Sequence, residues 1–72
     1  MSRLENPDEL RQAILQLMRE MSKSKKMVHK NEVYSVLASR TDQDRFEAEM
    51  TRLQDDGDIC QSFDANHFCL VD

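Results

Sequence analysis

The sequence predicts an α+β fold in which three helices are followed by a C-terminal β-hairpin. Two features of the patterning carry that expectation. Apolar residues recur at helical spacing through Leu53, and after Gly57 the period drops to the two of a strand. With a single Gly and a single Pro in 72 residues, the chain is neither low-complexity nor a flexible linker.

The first helix is expected over residues 7–21. Asn6 is a capping residue type, Pro7 suits the first helical position, and Glu9 stands where a capping box needs it. Asp8 and Glu9 also favour the positive end of the helix. Leu10, Ala13, Ile14, Leu17, Met18 and Met21 then form an unbroken apolar stripe. Residues 22–26 are too polar to continue it and read as a loop, and Met27-Val28 is long enough only for a stub of strand.

Val33, Val36 and Leu37, with Tyr34 beside them, predict a second helix over residues 30–39. Thr41, with Asp44 three residues on, is the expected N-cap of a third. In that helix Phe46, Met50 and Leu53 define the buried stripe, and Gly57 marks a left-handed stop. Beyond it Ile59, Gln61 and Phe63 share one strand face and Cys60 and Ser62 the other. Asp64, Ala65 and Asn66 supply turn chemistry, and residues 67–71 form the return strand, laying Ile59, Phe68 and Leu70 over the helices.

Helix, strand stub, helix, helix, hairpin is the order of a winged helix: helices two and three make the helix-turn-helix and the hairpin is the wing. An irregular three-helix bundle with a β tail is the alternative. The whole chain, residues 1–72, reads as one small domain. Its apolar runs are too short to span a bilayer, and the N-terminus lacks the apolar core of a signal peptide. An intracellular location with reduced cysteines follows as the expectation. So short a chain leaves little room for a deep substrate pocket. A non-enzymatic protein without cofactor or small-molecule substrate is therefore expected.

Charge is unevenly placed. Residues 1–22 carry three Arg against four acids, residues 23–30 carry Lys23, Lys25, Lys26 and Lys30, and residues 31–72 carry three Arg against ten acids. The net charge of −4 repels phosphates at long range, so nucleic-acid contact would have to use the lysine cluster alone. Such contact would be weak, salt-sensitive and blind to sequence. The alternative for these lysines is a solvated loop.

In a DNA-reading winged helix, the third helix brings basic and amide side chains into the major groove. Here residues 41–56 hold six acids against Arg45 and Arg52, which disfavours sequence-specific reading. The acids are either an ordinary solvated face or a surface for a basic, amphipathic partner segment. On the second reading Glu49, Arg52 and Asp56 contact the partner from the helix, and Phe63, Asp64 and Asn66 from the wing. Phe63 is then an exposed anchor or a rim residue folded onto the core.

Cys60, His67 and Cys69, with His29, can be drawn as a zinc site, but the C-x-x-C pairing of structural zinc is missing and no metal is expected. Two reduced thiols are the simpler reading; a strand register that set residue 60 against 69 would permit a disulfide. A Cys60–His67 nucleophile lacks a third orienting group.

The run Leu53-Gln54-Asp55-Asp56-Gly57-Asp58-Ile59, then a hairpin and the chain end, resembles the small C-terminal winged helix of MCM replicative helicase subunits. Gly57-Asp58-Ile59 followed by Asp64-Ala65-Asn66-His67-Phe68 is also similar to the C-terminal winged helix of the middle subunit of replication protein A. Both likenesses lie within residues 46–71 and rest on short motifs shared by many winged helices. They imply the C-terminal module of a larger replication or repair protein, nuclear in a eukaryote, that docks another protein of that machinery. In both families some members also touch DNA. Cys60, Cys69 and the lysine-rich loop depart from either pattern. A purely structural appendage of a larger machine is the third possibility.

Overall fold

The computed structural model describes residues 4–62 and 66–71. Its elements are α1 (Pro7–Ser22), β1 (Val28–His29), α2 (Lys30–Leu37), α3 (Gln43–Asp55), β2 (Ile59–Gln61) and β3 (His67–Leu70). Three helices with a small antiparallel sheet make an α+β, winged-helix-like fold, as the patterning predicts.

Local chemistry explains each boundary. The Asn6 side chain accepts the Asp8 N–H at 2.9 Å, and Pro7 opens α1 without wasting a donor. Leu10, Ile14 and Met18 are buried, flanked by the half-buried Ala13, Leu17 and Met21. α2 is capped by His29, which the sequence offers only as a metal-ligand type: its Nδ1 accepts the Asn31 N–H at 3.1 Å. Val33 and Leu37 are buried in it, whereas Val36, expected in the stripe, is 49% exposed. Eight residues make little more than two turns, and only the i, i+4 row is fully buried, with Tyr34 packed beside it.

The cap of α3 is Asp42, not Thr41. The Asp42 carboxylate accepts the Arg45 N–H at 2.9 Å. Thr41 is instead buried, 2% exposed, with its N–H bonded to the Leu37 carbonyl. α3 ends in a Schellman motif: Asp58 N–H donates to the Leu53 carbonyl at 2.9 Å and Gly57 N–H to that of Gln54 at 3.1 Å. Gly57 supplies the positive φ of 83° that this geometry requires.

The sheet order is β1-β3-β2, with both pairings antiparallel. The two-residue stub thus becomes a true edge strand, pairing Val28 with Phe68 and His29 with His67. The hairpin pairs Ile59 with Leu70, Cys60 with Cys69 and Gln61 with Phe68. Opposed residues share a face, so Val28, Ile59 and Phe68 are buried on one side, with Leu70 packed beside them. His29, His67, Cys60 and Cys69 occupy the other side.

α1 packs across α3 and β3 to close the core around Ile14, Met18, Phe46 and Leu53. Tyr34 packs its ring on Phe46 at 5.2 Å. Leu4, ahead of the first helix, is also buried, held there by its N–H to the Arg40 carbonyl at 2.7 Å. Among the described residues no helix is long and apolar enough to cross a membrane.

Candidate functional site

The lysine cluster is largely neutralised within the fold. Lys23 Nζ lies 3.2 Å from Glu20, Lys25 Nζ 3.0 Å from Glu32, and Lys30 Nζ 2.6 Å from Glu47. Lys26 is exposed and makes no ion pair among the described residues. Exposed pairs of this kind add little stability, but each replaces a free positive charge with a dipole. A phosphate backbone approaching the loop would have to compete with a carboxylate at three of the four positions.

The residues expected to contact a partner do not form one surface. Glu49 is the clearest correction: it is 5% exposed, wedged in the same row as Phe46, Met50 and Leu53. Its i+3 and i+4 relations to Phe46 and Leu53 place it on the core-facing side whatever its polarity. There it meets the guanidinium of Arg52, 3.4 Å away, and borders a recess with Leu4, Pro7, Leu10 and Ala48. Arg52 itself is exposed. Asp56 is exposed but tied to Arg11 of α1 at 2.7 Å. Asn66 is exposed at the wing, and its carbonyl accepts the Lys30 N–H at 2.8 Å. Phe63 and Asp64 lie outside the described residues.

Helical period explains the separation. Glu49, Arg52 and Asp56 occupy the flank of α3 turned toward α1. The flank turned toward the sheet carries Glu47, Met50, Thr51 and Gln54, an i, i+3, i+4, i+7 row. This second row, with Lys30, Gln61 and Phe68, lines an open cleft of about 430 Å³ between α3 and the wing.

The cleft presents two amides, a hydroxyl and an ion pair over the margins of Met50 and Phe68. Such groups can donate to and accept from an extended peptide while the two apolar side chains give it footing. Thr51 Oγ1 donates to the Glu47 carbonyl at 3.1 Å, which fixes its orientation along the cleft wall. The sequence shows the polar row beside Met50. It does not show that Lys30, from another helix, closes it, because that contact spans 17 positions.

On the outer sheet face the rings of His29 and His67 meet edge to face at 4.9 Å, and Cys60 opposes Cys69. Both thiols are free, Cys60 exposed and Cys69 half-buried. Among the described residues no three His, Cys, Asp or Glu side chains are grouped to hold a metal.

No protein-family model matches the chain, and no curated protein or solved structure matches it significantly.

Proposed function

We propose that this chain is a non-catalytic winged-helix interaction module of the DNA replication or repair machinery. It docks a segment of a partner protein between α3 and the wing. The observation that carries the choice of protein over nucleic acid is the charge arrangement. Lys23, Lys25 and Lys30 are each paired with a carboxylate, whereas Asp44 and Asp55 stand exposed on α3 without an ion pair among the described residues, beside Asp42 and Asp56, which are paired with Arg45 and Arg11. A helix so charged repels a phosphate backbone and attracts a basic segment. The docking site is the cleft of Glu47, Thr51, Gln54 and Gln61, and Arg52 and Asp56 flank the far side of the helix.

The resemblance within residues 46–71 to the C-terminal winged helices of the MCM helicase and of replication protein A supports the replication setting. In a eukaryotic cell that setting is the nucleus. DNA-backbone contact through the lysine-rich loop is the second reading, favoured only by the exposed Lys26, which makes no ion pair among the described residues.

Titrating the isotopically labelled chain with a short DNA duplex, at low and at physiological salt, separates the two. Amide shifts absent at both salts are expected; shifts confined to residues 23–30 and lost with salt would favour the backbone reading instead. Shifts along α3 that survive physiological salt would overturn the protein-docking reading. A photo-crosslinking residue at Gln54 or Gln61 then tests the site in cells. Crosslinks to a replication or repair protein are expected there and not from Arg19, an exposed residue of α1 outside the cleft lining.

A further inference from the structure

The hairpin register sets two thiols side by side, and the proposed docking cleft makes no use of them. Cys60 on β2 is directly opposite Cys69 on β3, on the sheet face turned away from the core. Cys60 is exposed, and Cys69 borders a shallow recess with Ser22, Lys26 and Leu70. We infer that Cys60 and Cys69 form a reversible dithiol–disulfide site that exchanges with a low-molecular-weight disulfide of the glutathione class.

The register also determines what kind of disulfide this is. Val71 N–H donates to the Asp58 carbonyl at 3.1 Å and Ser62 N–H to the His67 carbonyl at 2.8 Å. These bonds lie two positions to either side of the cysteine pair, so residues 60 and 69 form a hydrogen-bonded pair. Cα atoms in such a pair are about 5.5 Å apart, within the range a disulfide spans. The Cβ atoms, also about 5.5 Å apart, must approach by roughly 1 Å to reach disulfide spacing. The bond therefore forms without rearranging the hairpin, yet under strain. Strained, accessible disulfides are the readily reduced ones. That is the behaviour of a regulatory site rather than a structural staple.

The chemistry balances in two exchanges. The exposed Cys60, as thiolate, attacks one sulfur of oxidised glutathione; the S–S bond breaks and one glutathione thiolate leaves. Lys26, at the rim of the recess beside Cys69, offers a positive charge to the anionic tripeptide now attached. Cys69 then gives up its proton, attacks the Cys60 sulfur and expels the second glutathione. Two protein thiols have been oxidised to one disulfide and one oxidant disulfide reduced to two thiols.

The test is intact-mass measurement of the folded chain across a series of oxidised-to-reduced glutathione ratios, with amide shifts recorded in parallel. A monomer that has lost two hydrogens is expected, with both thiols gone from a thiol titration. Both should return when reduced glutathione is restored. Cys69→Ser and Cys60→Ser should each stop at a single glutathione adduct. Stable glutathione adducts on the unmodified chain, disulfide-linked dimers in place of the oxidised monomer, or no reaction at all would each overturn the site.

Discussion

Arg11 of α1 holds the Asp56 carboxylate at 2.7 Å and also donates to Asp58, so one guanidinium spans the turn between α3 and β2. These contacts raise its pKa above the ordinary arginine value, the hydrogen bond to Asp58 first and that to Asp56 second. Stability from a raised basic group is fully present below its unfolded-state pKa and is lost as the pH rises through the higher folded value. For arginine that window lies far into alkali. Arg11→Met should therefore lower the melting temperature by a similar amount at every pH from about 6 to 9. Added salt should narrow the difference. A gap that closes as the pH approaches 9 would show that Arg11 does not carry the effect.

The Schellman stop gives a second expectation. A Cβ at Gly57 would meet nothing within 4 Å among the described residues, so the cost of Gly57→Ala is the backbone strain of a φ of +83° alone. That strain is about 1–2 kcal/mol for an L-residue. Gly57→Asn, better tolerated in this conformation, should cost less. Urea denaturation of both variants would show the order, and equal losses would mean that side-chain crowding decides instead.

Thr41 and Asp42 test where α3 begins. Asp42→Ala should destabilise by about 1 kcal/mol through loss of the bond to the Arg45 N–H. Thr41 carries a buried hydroxyl with no hydrogen-bond partner among the described residues. Thr41→Val keeps the shape and removes that polar atom, so it should be neutral or stabilising. Denaturation midpoints in the reverse order would return the cap to Thr41.

That pair also shows what a sequence conceals. Two good capping residues stand one apart, and only the burial of Thr41 against the turn after α2 selects Asp42. Where local and tertiary demands agree, as in the Asn6-Pro7 start and the stripe through Leu10, Ile14 and Met18, spacing alone finds the element. The hairpin is legible for the same reason, since alternation and register place Ile59 and Phe68 together. Val36 fails because helical period says which residues align, not how far a short helix faces the core. Of the candidate site, the polar row of α3 is visible in the sequence, but its Lys30 and Gln61 walls come from other elements and depend on the fold.

Glu49 joins both lessons, because its position was legible and its polarity misled. It occupies an apolar row while its partner Arg52 stands exposed, 3.4 Å away. Burying a carboxylate costs solvation that a single exposed guanidinium repays poorly, and an apolar side chain of similar volume is often the better occupant. Glu49→Leu should thus leave stability unchanged or raise it by about 1 kcal/mol in urea denaturation. It should also leave crosslinking from Gln54 intact, since the cleft lies on the other flank of α3. Lost crosslinking at undiminished stability would return Glu49 to the docking surface. A loss of stability above about 2 kcal/mol would mean that the buried carboxylate is held by more than Arg52.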